Sequence, residues 1–144
     1  MHWDLFCRVV DNLGDIGFCW RLAAELAARG EQMRLWLDEP VPLAWMAPGG
    51  APNVTVGRWA EACGAAPPGD IAIETFGCGL PEPYVAQMAQ RTRPPLWIDL
   101  EYLSAEPYVE RSHGLPSPRT AGAGRDLTMW FYYPGYTEAT GGLL

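Results

Sequence analysis

The sequence predicts an α/β layer fold with a mostly parallel sheet. Three observations carry this. Short aromatic and β-branched runs recur along the chain, and amphipathic or alanine-rich stretches separate them. Turn residues (Gly, Pro, Asp, Asn) punctuate the boundaries between the two kinds of segment. The 144 residues, 49% hydrophobic and 19% charged, suit one domain with a substantial core.

The first strand is expected over residues 3–10, and a polar, glycine-bearing loop over 11–17 follows it. Residues 18–29 read as a helix, because Phe18, Leu22 and Leu26 repeat at a spacing of four with alanines between, and Gly30 suits its C-terminal cap. A short strand is expected over 34–37 and a short helix over 43–46, cut off by Pro48 and two glycines. Residues 54–59 suit a third strand, 65–69 a turn and 70–76 a strong strand with a tight loop after it. Proline in the first turn marks a helix from 81 to about 91. A further strand is expected over residues 96–100. A short helix within 104–114, an exposed Pro/Gly/Ser-rich loop over 115–125 and an aromatic strand over 129–133 are expected beyond them. The last residues, ending TGGLL, complete no element and look like an interruption within a longer protein.

Charge and cysteine usage narrow the function classes. A net charge of −7 argues against nucleic-acid binding, which needs a basic face. The four cysteines (Cys7, Cys19, Cys63, Cys78) form no CxxC pair and only two histidines accompany them, so no metal site is expected. Free cysteines in apolar runs point to a reducing compartment and hence to the cytoplasm. No apolar run approaches the roughly 20 residues a membrane span needs.

Ligands of parallel α/β sheets bind beyond the carboxyl ends of the strands. Here those ends lead into residues 11–17, 77–81 and 101–104. The first holds Asp11 and Asp15, with Gly14 between them and Gly17 after them. Its glycines and the following helix start suit an anion, although GDIG is neither GxGxxG nor a P-loop. The plainer assignments stand beside the functional ones. Asp15 suits a helix cap and Asp11 a turn. Glu74 and Glu101 suit strand-end or surface charges. Tyr102, Tyr132 and Tyr133 suit core or edge aromatics, and Trp20, Trp36, Trp97 and Trp130 suit packing.

The runs WDLFCRVVDNLGDIGFCWRLA, RLWLD, ETFGCGLPEPYV, LWIDLEYLSAEPYVERSHGLPSP and FYYPGYTEATGGLL cover almost the whole chain. In that order they resemble the EarP family, the protein-arginine rhamnosyltransferases that modify elongation factor P. The resemblance implies the N-terminal half of a B-type (GT-B) glycosyltransferase. Residues 1–144 would form the acceptor-side, Rossmann-like lobe, and the C-terminal donor-binding lobe, with a further catalytic carboxylate, would be absent from this chain. It implies transfer of L-rhamnose from dTDP-β-L-rhamnose to an arginine of elongation factor P with inversion, without metal or cofactor. The family's aspartate pair falls on Asp11 and Asp15, with Asp15 the expected base. Asn12, Leu13, Gly14 and Gly17 are expected to border the donor, and Glu101, Tyr102 and Ser104 the acceptor. Leu13 stands where the family pattern has Phe, and Gly79 where it has Glu. Two other functions fit the residues: a lobe that docks elongation factor P without chemistry, and a generic nucleotide-binding domain using Gly14 and Gly17.

Overall fold

The structure, a computed structural model, describes residues 1–9 and 13–144. Seven strands form one sheet among the described residues: β1 (His2–Cys7), β2 (Gln32–Leu37), β3 (Val54–Arg58), β4 (Ile71–Thr75), β5 (Leu96–Leu100), β6 (Pro116–Pro118) and β7 (Thr128–Tyr132). Their spatial order is β3-β2-β1-β4-β5-β7-β6. Every neighbouring pair is parallel except β6 with β7. The helices are α1 (Leu13–Ala28), α2 (Val41–Met46), α3 (Ala62–Ala65), α4 (Glu82–Gln90) and α5 (Tyr108–Ser112). The expected α/β class with a mostly parallel sheet is therefore the one observed.

The order has a functional consequence. From β1 the chain builds outward through β2 to β3, then returns to place β4 on the other side of β1. The crevice beyond the carboxyl ends of β1 and β4 is thus the topological switch point, where open α/β sheets bind ligands. β4 is buried at all five positions, as expected for a central parallel strand covered on both faces.

The two faces carry separate cores. Beneath α1 and α2 lie Leu5, Cys7, Leu35, Leu37, Ile73 and Leu100. α1 reaches them through Ile16, Cys19, Ala23 and Ala27, all buried. Past Ile16 the stripe is small-sided: Cys19, Ala23 and Ala27. The Phe18, Leu22 and Leu26 row is only partly buried and packs along the edge of the core. On the opposite face Phe6, Trp36, Ala72, Tyr84, Val85, Met88 and Trp97 pack together. Trp36 and Trp97 are packing residues as expected, whereas Trp130 is 40% exposed and is not.

A fully buried carboxylate ties this second face together. Asp4 accepts hydrogen bonds from Arg34 Nε and Nη2 (both 2.6 Å), Trp36 Nε1 (2.7 Å), Gly69 N (2.7 Å) and Tyr84 Oη (2.5 Å). Gly69 approaches so closely that a Cβ there would lie 2.5 Å from the His2 carbonyl oxygen. A bidentate Arg pair with three further donors satisfies the buried charge.

Four segments differ from expectation. β1 ends at Cys7, short of residues 8 and 9 of the expected strand, and residue 10 lies outside the described residues. α1 begins at Leu13, not after Gly17, because burying Ile16 and Cys19 extends the helix back through the glycines. Residues 59–65 form a 3-10 turn and α3, not the end of a strand and a loop. Within the expected loop at 115–125, β6 pairs antiparallel with β7 despite two prolines. The Leu115 carbonyl accepts from Phe131 of β7, and Arg119 N–H reaches the Leu127 carbonyl just before β7; Pro116 and Pro118 occupy the alternate positions, so no donor is missed.

Candidate active site

The switch point positions three chain segments around one cleft. α1 starts above the carboxyl end of β1 and presents Asp15 in its first turn. An acidic side chain there is favoured by the unpaired N–H groups and the helix dipole. The segment after β4 supplies Phe76, and the segment after β5 supplies Glu101, Tyr102 and Leu103. With Gly14, Phe18, Pro134, Leu143 and Leu144 these residues enclose about 430 Å³.

Asp15 is half-buried, and its Oδ1 accepts a 3.0 Å hydrogen bond from the Tyr102 hydroxyl. No other hydrogen bond to its carboxylate is present among the described residues. Partial desolvation and the Asp15 contact push the Tyr102 phenol up to about 12, so it donates rather than ionises near neutral pH. The Tyr102 ring stacks on Phe76 with centroids 3.8 Å apart and planes 3° off parallel.

Beneath the cleft, on the α4 side of the sheet, two carboxylates sit side by side. Glu74 and Asp99 are register partners on β4 and β5, 5% and 4% exposed. Asp99 Oδ1 accepts from Gly77 N at 3.3 Å. Among the described residues neither Glu74 Oε2 nor the buried Trp97 Nε1 makes a hydrogen bond of full geometry, although the Trp97 side chain lies close enough to Glu74 to favour its charged form somewhat. Burial, then the neighbouring Asp99 charge, pushes Glu74 up to about 7. Burial, then Glu101, pushes Asp99 up to about 6. Glu74 is therefore a strand-end acid near the close of β4, as one reading expected, but not a surface charge.

The sequence-derived residues divide as follows. Asp15, Gly14, Glu101 and Tyr102 share the cleft. Leu13 is exposed at the start of α1. Gly17 is a helical residue whose missing Cβ would point to Met46 Cε of α2 at 3.4 Å, so it serves helix packing. Ser104 lines a neighbouring depression with Glu106, Glu110, Tyr136 and Thr140, and its Oγ accepts from Glu106 N. Asp11 and Asn12 lie outside the described residues. Sequence reading missed Phe18, Phe76 and Pro134 as cleft walls; Phe76 carried a signal, since it ends a strand immediately before a glycine turn.

Other chemistries fit poorly. Burial pushes the Cys78 thiol up to about 12, and contact with Cys19 together with burial raises Cys7, so neither offers a ready thiolate. The depression along the outer side of α1 is lined by Arg21, Glu25 and Arg29, of which Glu25 and Arg29 pair with each other at 2.9 Å. No described helix is long and apolar enough to cross a membrane.

Residues 3–144 match the family described as "Elongation-Factor P (EF-P) rhamnosyltransferase EarP". A protein-arginine rhamnosyltransferase of Pseudomonas putida is 47% identical over 99% of this chain. Its counterparts from Pseudomonas aeruginosa and Shewanella oneidensis are 44% and 41% identical over the same share. In each case the chain spans 39% of the relative's length. With a family match over nearly its whole length, the chain belongs to the EarP family of elongation factor P rhamnosyltransferases.

Proposed function

We propose that this chain is the acceptor-side lobe of a protein-arginine rhamnosyltransferase, with Asp15 as the base. The observation that carries the reading is the half-buried Asp15 carboxylate at the switch-point cleft, held from one side by Tyr102 and otherwise open to a donor. The substrates are an arginine of elongation factor P and dTDP-β-L-rhamnose.

The chemistry follows from the acceptor. A guanidinium has a pKa above about 12 and is a poor nucleophile until a proton leaves it. Asp15 and Glu101 face the same cleft, so one carboxylate can fix the guanidinium plane by paired N–H bonds while the other takes the proton. The nitrogen forms its bond to the anomeric carbon as the bond from that carbon to the diphosphate oxygen breaks. The electron pair leaves with dTDP, the proton goes to Asp15, and one displacement inverts the centre. Gly14 and Leu13 stand at the end of α1 whose free N–H groups favour an anion, which suits the donor edge. A second, donor-binding lobe would supply the remaining nucleotide contacts. This scheme requires no metal or cofactor, and a reducing cytoplasm is its natural setting.

Asp15→Asn in the full-length protein is expected to lower transfer at least ~100-fold while leaving thermal stability and donor binding close to wild type. Mass-spectrometric assay of rhamnosylated elongation factor P measures this. Near-normal turnover would remove Asp15 as the base.

A further inference from the structure

Phe76 is a bulky residue in a backbone conformation that bulky residues avoid. It has φ of 57°, and Gly77 follows with φ of 64°. Cys78 N–H closes the turn on the Thr75 carbonyl at 3.1 Å. Turns with both central residues at positive φ are normally filled by Gly, Asn or Asp. A phenylalanine there is strained and persists only where its surroundings over-determine it.

The surroundings do so. Phe76 N–H reaches the Leu100 carbonyl at 2.8 Å, and Gly77 N–H reaches Asp99. The Phe76 ring lies flat against Tyr102 and leans on Phe18 of α1, centroids 5.5 Å apart. The strained turn thereby links the three segments that build the cleft. Tyr102 is itself 53% exposed, so little else packs against its ring. The Phe76 face is what keeps the phenol from swinging into solvent, away from Asp15.

We infer that Phe76 is a positioning residue of the Asp15 site: held in its strained turn with the help of Asp99, it sets the Tyr102 ring so that the phenol hydrogen-bonds Asp15. This rests on the reading of Asp15 as the base. Phe76 touches neither reacting atom; it acts through Tyr102.

The test compares three replacements in the full-length protein. Phe76→Gly relieves the backbone strain and removes the ring. Phe76→Leu keeps apolar bulk without a flat face. Phe76→Tyr keeps the face. Gly and Leu are expected to lower kcat at least tenfold with donor KM within twofold, and Tyr to stay within twofold of the parent in both. The Tyr102 ring-proton resonances, moved upfield by the stack, should return toward free tyrosine values in the Gly and Leu variants and stay put in the Tyr variant. A kcat within twofold of the parent for Phe76→Leu, or unchanged Tyr102 resonances in it, overturns the inference even if Phe76→Gly proves unstable. Asp15→Asn run alongside separates the two readings. Retained turnover there defeats the base assignment itself, whereas lost turnover there with unaffected Phe76 variants defeats only the positioning role.

Discussion

Asp4 and Glu74 are buried carboxylates on the same face of the same sheet, on adjacent strands and two residues apart in register, yet they are opposites. Asp4 faces Ala72 of β4 in register, and Phe6, two residues on, faces Glu74. Asp4 takes five hydrogen bonds, two of them from a guanidinium. Glu74 has, among the described residues, no full hydrogen bond to its Oε2 beyond a weak approach of Trp97, and it lies beside a second acid, Asp99. The first arrangement is what a structural charge requires. The second is unfavourable for folding and sits at the carboxyl ends of the strands, under the cleft. A buried charge in this molecule is thus structural or site-associated according to its row in the sheet, and the difference is in its partners, not in its burial.

The comparison predicts a hierarchy of effects. The largest should come from Asp4→Ala. That change strands the Arg34 guanidinium, 18% exposed, together with the Trp36, Gly69 and Tyr84 donors. Removing one partner of a buried pair costs about 3–5 kcal/mol. Urea unfolding should show a loss of that size. A loss below about 1 kcal/mol would mean that the network is incidental and that the two carboxylates do not differ as argued.

Glu74→Gln should have the opposite sign. The folded state raises Glu74 from 4.5 to about 7 and Asp99 from 3.8 to about 6. A carboxyl whose folded pKa is raised binds its proton more tightly in the native state. Its contribution to stability is therefore complete below about pH 4 and is lost as pH rises through 6 to 7. At about 1.4 kcal/mol per unit, Glu74 should cost roughly 3 kcal/mol at pH 8, and the glutamine variant should recover roughly 1–3 kcal/mol there. Unfolding curves between pH 4 and 8 measure it. An unchanged pH profile would show that Glu74 is solvated after all.

These two residues also mark where sequence reading ends. The strand at 96–100 was readable to the residue, and those near 70–76 and 129–133 to within one or two. Aromatic and β-branched runs between turns leave little choice. The start of α1 was not readable, because glycines at 14 and 17 signal a loop and only the burial of Ile16 and Cys19 overrides them. β6 was hidden by two prolines whose tolerance depends on which side β7 lies. The cleft was legible in part. Asp15, Glu101 and Tyr102 follow from strand ends and from family resemblance, whereas the Phe76 stack depends on a positive φ that no residue preference announces. Asp4 and Glu74 look alike in sequence, each an acid within an apolar strand; their register partners, set by tertiary pairing, separate them.

The mildest change is expected at Asp99. Asp99 has two jobs: its oxygen accepts the Gly77 N–H, and its charge raises Glu74. Asp99→Asn separates them, since the amide oxygen still accepts that N–H while the charge is gone. Stability near pH 7 should rise by only about 1–2 kcal/mol, because removing a carboxyl whose folded pKa is raised to about 6 is partly offset by a weaker hydrogen bond to Gly77. The Glu74 midpoint, followed by carboxyl-carbon NMR, should fall but stay above 4.5, because burial is the first cause of its elevation and the Asp99 charge the second. The Tyr102 ring resonances should not move, since the Phe76 turn keeps its acceptor. A midpoint that drops fully to 4.5 would make charge, not burial, the whole cause, and Glu74 would then differ from Asp4 only in its neighbour. A midpoint that does not move would mean that the two acids, though adjacent in register, do not sense each other's charge, and the row beneath the cleft would be two independent buried acids rather than a coupled pair.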